Sequence, residues 1–70
     1  MLKIGTKIKT LRREQKVTQE GLAVALGVTP QAISRWEGEG GYPDIELLHA
    51  LADFFSVSVD ELIGYRQSER

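Results

Sequence analysis

The stretch Thr18–Glu37, TQEGLAVALGVTPQAISRWE, decides the fold of this 70-residue chain, because it reads as two short helices joined by a tight turn. Thr18 is suited to begin the first helix, since its hydroxyl accepts a hydrogen bond from an unpaired backbone amide. Gly27 is suited to end that helix, because positive φ is easiest for a residue without Cβ. Thr29 and Pro30 predict the start of the second helix. One face of the two helices holds the apolar residues Leu22, Leu26, Ile33 and Trp36. The opposite face holds the polar residues Gln19, Gln31, Ser34 and Arg35.

Three further helices follow from apolar residues at helical spacing on either side of this stretch. The first runs from about Leu2 to Gln15, with Gly5 near its start, where glycine is tolerated better than in mid-helix. The fourth begins after Asp44, and a short fifth runs from Val59 to Ile63. In the first helix the predicted buried residues are Ile4, Ile8 and Leu11. In the fourth they are Ile45, Leu48, Leu51, Ala52 and Phe55. Ser58 with Glu61 forms a capping box for the fifth helix. No segment alternates as a strand does, so we expect an all-α, compact five-helix domain over residues 1–64 and a polar C-terminal tail over 65–70.

The composition excludes several classes of protein. With 70 residues and no cysteine, the chain forms one small domain without disulfides or thiolate metal sites. No apolar run approaches the roughly 20 residues of a membrane span, and the start MLKIGTKIKT lacks the apolar core of a signal peptide. We therefore expect a cytoplasmic protein with no membrane partner. The lone histidine, His49, has no second ligand at a suitable spacing, so we expect no metal and no cofactor.

The charge distribution favours an anionic partner, although the whole chain carries a net charge of only −1. Residues 1–36 hold seven basic residues against two acidic ones, a net charge of +5, whereas residues 37–70 hold two basic residues against eight acidic ones, a net charge of −6. Such polarity suggests one face for an anion and another turned away from it. The alternative is that these are ordinary solvated charges on small helices.

The polar face of the second helix of Thr18–Glu37 suits the major groove of DNA. Gln31 and Arg35 are four residues apart, hence on one side of the helix, with Ser34 beside them. Glutamine forms a bidentate pair with adenine and arginine with guanine, each worth about 1–3 kcal/mol of discrimination. Gln19 begins the preceding helix, where amides and the helix dipole attract a phosphate. The alternative is again a solvated helix face.

Seven positions together make this pattern specific. They lie in the segment that begins at Gln19. They are the apolar residues Leu22, Leu26, Val28, Ile33 and Trp36, the small residue Ala23 and the turn residue Gly27. On these residues the chain resembles the lambda and 434 repressor- and Cro-like helix-turn-helix family, also called the XRE family. The resemblance covers about Ile4 to Ile63 and implies a five-helix domain in which helices two and three form the helix-turn-helix. It also implies a transcriptional regulator that binds operator DNA as a dimer on palindromic half-sites; we expect a repressor, and an activator is the alternative.

The resemblance also implies roles for individual residues. Thr29, Gln31, Ser34 and Arg35 are implied to read bases, and Gln19, Arg12, Arg13, Lys9, Gly41 and Tyr42 to contact phosphates. Arg12 and Glu37 match an ion pair that ties the first helix to the end of the third. Pro30 departs from relatives that use a polar residue there, and relatives often carry glycine where Lys16 and Glu39 stand. The glycines at Gly38 and Gly40 therefore predict a reshaped exit from the third helix.

Other functions fit the sequence less well than DNA binding does. Ser34, Ser58 and the neighbours Asp60 and Glu61 have no partner in a recognisable catalytic pattern, so we expect no enzyme and no small-molecule ligand. An antitoxin-like or other protein-interaction module could use the same fold, but would not need the basic residues before position 37. A predicted apolar patch suggests a homodimer contact, the alternative being a core that extends further round the domain. The patch consists of Leu47, Val57, Val59, Ile63 and Tyr65.

Overall fold

The computed structural model describes residues 4–63, which form five α-helices and no strand. The helices are α1 (Ile4–Glu14), α2 (Gln19–Leu26), α3 (Pro30–Glu37), α4 (Ile45–Phe55) and α5 (Val59–Ile63). The predicted all-α fold is confirmed, and α2, α3 and α5 have the predicted bounds. The predicted start of α1 at Leu2 and the proposed domain end at residue 64 lie outside the described residues. None of the helices within this range combines the length and apolarity needed to cross a membrane.

The five helices enclose one apolar core. Its fully buried side chains come from every helix and include Ile8, Leu22, Ile33, Leu51 and Leu62, each with no exposed surface. Trp36 is 5% exposed, which confirms that it packs in the core and does not act as a surface anchor. The prediction for Ile45 was wrong, because its side chain is 69% exposed. Ile45 is the first residue of α4, directly after the cap at Asp44, whereas the buried residues Leu51, Ala52 and Phe55 lie in its second half.

Four helices begin at a residue whose side-chain oxygen accepts a backbone amide. Thr18 accepts from Gly21, Thr29 from Ala32, Asp44 from Leu47 and Ser58 from Glu61, at distances of 2.9, 3.2, 2.9 and 3.0 Å. Each cap satisfies one of the amides that a helix start leaves unpaired. The caps predicted from the sequence are therefore confirmed, and they fix where α2 and α3 begin relative to the turn between them.

Helices α1 to α4 end in a common turn, in which a left-handed residue and the residue after it both donate their amides back to the helix. The left-handed residues are Lys16, Gly27, Glu39 and Ser56, with φ of 59°, 73°, 62° and 59°. In each turn the left-handed residue donates its amide three residues back, and the next residue donates five residues back. This is the Schellman arrangement, which satisfies carbonyls at the end of a helix. Three of the four next residues are valines packed against the core, namely Val17, Val28 and Val57, and the fourth is Gly40.

The left-handed conformations explain two of the departures seen in the sequence. Lys16 and Glu39 occupy the positions where relatives often have glycine, and both have positive φ, which costs a non-glycine residue about 1–2 kcal/mol. For Glu39 the cost is offset by contacts with α1. Its Oε2 accepts from the amide of Thr6 at 3.2 Å and from the hydroxyl of Thr6 at 3.4 Å. Glu39 thereby satisfies an amide in the first turn of α1 from across the domain.

Gly5 is required by the packing of α1 on α3, which the sequence did not reveal. A Cβ at Gly5 would overlap the carbonyl oxygen of Trp36 and lie 3.0 Å from the backbone Cα and C atoms of Glu37. These atoms belong to the α3 backbone and cannot move as a flexible side chain does. The position of Gly5 near a helix start, noted from the sequence, does not account for this close approach. Its lack of a side chain lets α1 approach the end of α3.

The Gly5→Ala variant should be less stable than the wild type by about 1–3 kcal/mol, because the added methyl group overpacks a contact between two helix backbones. Urea unfolding followed by circular dichroism would measure this difference in the free energy of unfolding. Gly38→Ala is the matched control, since a Cβ there comes no closer than 3.4 Å to the carbonyl of Ser34. Equal stabilities for the two variants would contradict the role given to Gly5.

Candidate nucleic-acid interface

The outward face of α3 carries the four predicted base-reading residues. Thr29, Gln31, Ser34 and Arg35 are all exposed, whereas Ile33 and Trp36 on the opposite face are 0% and 5% exposed. The hydroxyl oxygen of Thr29 also accepts the amide of Ala32, so Thr29 both caps the helix and stands at its exposed end. The helix thus presents polar side chains to solvent over a rigid apolar base. That these side chains read bases stays a prediction.

Glu37, at the end of α3, lies at the centre of a hydrogen-bonded cluster. Its carboxylate accepts from Arg12 through Nε at 2.7 Å and through Nη2 at 3.0 Å, an ion pair of the bidentate kind. Gln19, the first residue of α2, donates Nε2 to the same carboxylate at 3.1 Å. Arg12 also donates Nη1 to the carbonyl of Val17 at 2.9 Å. One carboxylate therefore joins α1, α2 and α3.

The cluster is shielded from water, which determines its electrostatics. The side chains of Arg12 and Glu37 are 13% and 4% exposed. Burial raises the pKa of Glu37, but its hydrogen bonds with Arg12 and Gln19 and the positive charges of Arg12 and Lys9 outweigh burial, so its pKa lies below its ordinary value of 4.5. The hydrogen bond to Glu37 raises the pKa of Arg12. Both groups are therefore charged at neutral pH.

This cluster assigns a structural task to two residues that were also predicted to contact phosphate. Arg12 donates hydrogen bonds within the protein through Nε–H and through one hydrogen of each terminal nitrogen. Gln19 is half-buried, and its amide nitrogen is bonded to Glu37, which orients the side chain at the N-terminus of α2. Their contacts with phosphate stay predictions. The structure shows that both hold α3 against its neighbours.

The remaining predicted phosphate contacts lie at the surface. Lys9 and Arg13 are exposed on α1, and the charge of Lys9 is close enough to influence the carboxylate of Glu37 at the end of α3. Between α3 and α4, Gly41 is half-buried and Tyr42 is 56% exposed. The basic side chains of α1 and the segment after α3 thus lie on elements that adjoin the C-terminal end of α3.

The predicted dimer residues divide into two groups. Leu47, Val57, Val59 and Ile63 are half-buried and pack against the core of the domain, so each has both a core contact and an exposed portion. Tyr65 lies outside the described residues. The structure also reveals a proximity that the sequence did not predict, since the side chain of Arg35 lies within 4 Å of the place that a Cβ on Gly40 or Gly41 would occupy. Its sequence signal was the displaced glycine at position 40.

Replacing Glu37 by glutamine should test the electrostatic role of the cluster. Because the folded-state pKa of Glu37 is lowered, its stabilising effect is present above pH 4.5 and is lost as the pH falls through the folded-state pKa. At pH 7 we expect Glu37→Gln to lose about 2 kcal/mol, the worth of charged hydrogen bonds. The loss should shrink as the pH is lowered below 4.5.

Denaturant unfolding of both proteins at neutral and acidic pH measures this difference. Glu20→Gln removes the same charge from an exposed position on α2 and should stay within about 0.5 kcal/mol of the wild type. A deficit in Glu37→Gln that does not change with pH would show that the ionised carboxylate is not the source of the stability.

Comparison with known proteins identifies the architecture. The helix-turn-helix family model matches residues 8–62, from α1 into α5. The HTH-type transcriptional activator BcrR of Enterococcus faecalis is 44% identical over 63 residues, which make up 90% of this chain. The chain spans 31% of the length of that activator.

Two solved structures show where this fold occurs. The P22 c2 repressor protein in complex with synthetic operator 9T has a TM-score of 0.82 and 35% sequence identity, over 86% of this chain and 91% of that chain. The hydroxypropylphosphonic acid epoxidase from S. wedmorenis has a TM-score of 0.76 and 31% identity, over 86% of this chain and 32% of that chain. The family match and the fold agree with the motif at Thr18–Glu37: the chain belongs to the lambda and 434 repressor- and Cro-like (XRE) helix-turn-helix family.

Proposed function

We propose that this protein binds double-stranded operator DNA in a sequence-specific manner, with α3 in the major groove, and regulates transcription. The observation that carries the proposal is the polar, exposed face of α3 above the apolar, buried face that anchors the helix. A major groove admits one α-helix, and a second helix must set its angle of approach. Here α2 meets α3 through the bond from Gln19 to Glu37. The P22 c2 repressor, which has the same fold, is seen with an operator.

Base readout is assigned to the exposed side chains of α3. Gln31 suits adenine, whose N6 and N7 match the donor and acceptor of an amide, and Arg35 suits guanine, whose O6 and N7 accept from a guanidinium. Thr29 and Ser34 contribute short hydroxyls for neighbouring bases or the backbone. Pro30 follows Thr29 and is also exposed, but its side chain has no hydrogen-bond donor. Specificity therefore depends mainly on Gln31 and Arg35.

Phosphate contacts are assigned to elements on both sides of α3. Gln19 stands at the N-terminus of α2, where backbone amides favour an anion. Lys9 and Arg13 supply positive charge from α1, and Arg12 adds a contact second to its ion pair. Gly41 and Tyr42 follow α3 and are assigned to the other strand. Because each neutralised phosphate releases counterions, the affinity should fall as the salt concentration rises.

Repression is the regulatory sense that we propose, and the domain acts without catalysis. Occupation of an operator is enough to block transcription, whereas activation needs an additional protein contact. BcrR is named an activator, but two-thirds of that protein lies outside the match. Since DNA binding needs only side chains of the kinds found on α1 and α3, no cofactor is required. We infer that the protein acts in the cytoplasm, because the proposed partner is operator DNA.

A protein-interaction module is the alternative function, because the fold is not restricted to operator complexes. It also occurs in part of an epoxidase. The concentration of positive charge before position 37 favours DNA over this alternative, since a module that binds only protein does not need it.

Substituting Gln31 or Arg35 with alanine should reduce sequence preference and leave the fold intact, because both side chains are exposed and make no core contact. Each loss is expected to be about 1–3 kcal/mol of discrimination at one base pair. Selection from random DNA, followed by titration of the selected site and its single-base variants at two salt concentrations, measures this preference.

The control is Asp53→Ala, a substitution at an exposed position on α4, which carries none of the predicted DNA contacts. Intact preference in both alanine variants would remove Gln31 and Arg35 from the reading role. Binding with a steep salt dependence but no preference would indicate a nonspecific nucleic-acid binder.

We further propose that two chains bind one palindromic site, with a contact made by the half-buried residues Leu47, Val57, Val59 and Ile63 and by Tyr65. Sedimentation velocity should give the mass of a dimer on DNA that carries two half-sites. Val59→Lys should weaken binding to the palindrome by about tenfold, an estimate from the loss of one apolar contact, and should leave binding to a single half-site unchanged. A monomeric mass at micromolar concentration, with and without DNA, would contradict the dimer.

A further inference from the structure

The side chain of Arg35 lies along the backbone of the segment that follows α3. A Cβ placed on Gly40 would be 3.1 Å from Cγ of Arg35 and 3.5 Å from its carbonyl oxygen. A Cβ placed on Gly41 would be 3.7 Å from Nε, 3.8 Å from Cγ and 3.9 Å from Cδ of the same residue. The aliphatic stem of Arg35 therefore follows the two glycines, and its guanidinium begins beside Gly41.

Gly40 is explained by this contact and not by its backbone conformation. Among the described residues, the glycine with positive φ is Gly27, and in the turn after α3 the left-handed residue is Glu39. An L-residue can therefore adopt the backbone angles of Gly40. In the equivalent turns after α1, α2 and α4 the corresponding residue is a valine. In the turn after α3, the stem of Arg35 occupies the space that a side chain at position 40 would fill.

The backbone that holds the stem is itself fixed on both sides. Gly40 donates its amide to the carbonyl of Arg35 at 2.8 Å, and Glu39 donates to the carbonyl of Trp36 at 3.0 Å. The carboxylate of Glu39 accepts from Thr6 on α1 at 3.2 and 3.4 Å. The turn is thus tied both to α3 and to α1. The flexible side chain of Arg35 therefore lies beside a backbone segment that hydrogen bonds hold in place.

We propose that Gly40 is a positioning residue for base readout, which orients the guanidinium of Arg35 before DNA binds. The proposal rests on the proposed function of Arg35. A long side chain loses rotamer freedom when it is fixed on a partner, and part of that loss is avoided if the free protein already restricts it. A methyl group at position 40 would displace the stem at Cγ and so redirect the guanidinium.

A double-mutant cycle between Gly40→Ala and Arg35→Ala tests the proposal on selected DNA. Arg35→Ala identifies the base pair at which Arg35 discriminates. Gly40→Ala should lower discrimination at that same base pair by roughly fivefold, comparable to the ordering of one side chain, and should leave the other base pairs unchanged. In the Arg35→Ala background, Gly40→Ala should have no further effect. Gly38→Ala, whose Cβ would meet only backbone carbonyls at 3.4 and 3.8 Å, is the matched control.

A measurement on the free protein separates this inference from the proposed function. The ¹⁵N heteronuclear NOE of the Arg35 Nε–Hε group should be higher in the wild type and in Gly38→Ala than in Gly40→Ala. An ordered Nε in a wild type that selects no DNA sequence would overturn the proposed function and reduce the contact to a structural one. Sequence selection with discrimination unchanged in Gly40→Ala, or changed equally when Arg35 is alanine, would overturn the positioning role alone.

Discussion

The domain depends on one buried carboxylate, that of Glu37, which joins three helices at the end of α3. Arg12 reaches it from α1 with two nitrogens, and Gln19 reaches it from the start of α2. Removing one partner of this part-buried pair leaves an unpaired charge with little exposure to water, which costs more than the loss of an exposed ion pair. The close approach allowed by Gly5 brings α1 against the same end of α3. Charge pairing and backbone packing therefore fix the same contact.

Fixing that end of α3 determines what its other face can do. The buried side chains Ile33 and Trp36 prevent the helix from rotating, and the cap at Thr29 sets where it begins. Gln31 and Arg35 then point to solvent from a helix whose position is set by its neighbours. Preorganisation of this kind limits the entropy lost when a polar side chain meets its partner. The turn after α3 extends the same effect to the stem of Arg35.

Much of this fold could be predicted from the sequence, because its signals are local. Caps such as Thr18 and Asp44 are recognised from residue type and position, and Gly27 and Pro30 mark the turn between α2 and α3. The helical spacing of apolar residues correctly predicted that Ile33 and Trp36 lie in the core. It failed at Ile45, since periodicity assigns a residue to a helix face but does not show where the neighbouring helices end.

The features that escaped prediction depend on contacts between distant segments. Gly5 touches the backbone of residues more than thirty positions away, and Glu39 bonds to Thr6 across the domain. The sequence does not show whether a position needs glycine for its lack of a side chain or for a positive φ. Gly40 is an example, because only its surroundings show that the lack of a side chain matters there. The candidate interface was more accessible to prediction than these contacts, because the spacing of Gln31 and Arg35 already places them on one side of a helix.

The central claim is that α3 reads the major groove, and replacing a single atom of the DNA tests it most directly. The substitution of 7-deazaguanine for guanine removes the N7 acceptor from the major groove without altering Watson–Crick pairing. At the guanine assigned to Arg35, this change should weaken wild-type binding by roughly five- to tenfold, part of the worth of a bidentate contact. Binding of Arg35→Ala should be unaffected. Wild-type affinity that does not change with 7-deazaguanine at any guanine of the selected site would contradict recognition by Arg35 in the major groove.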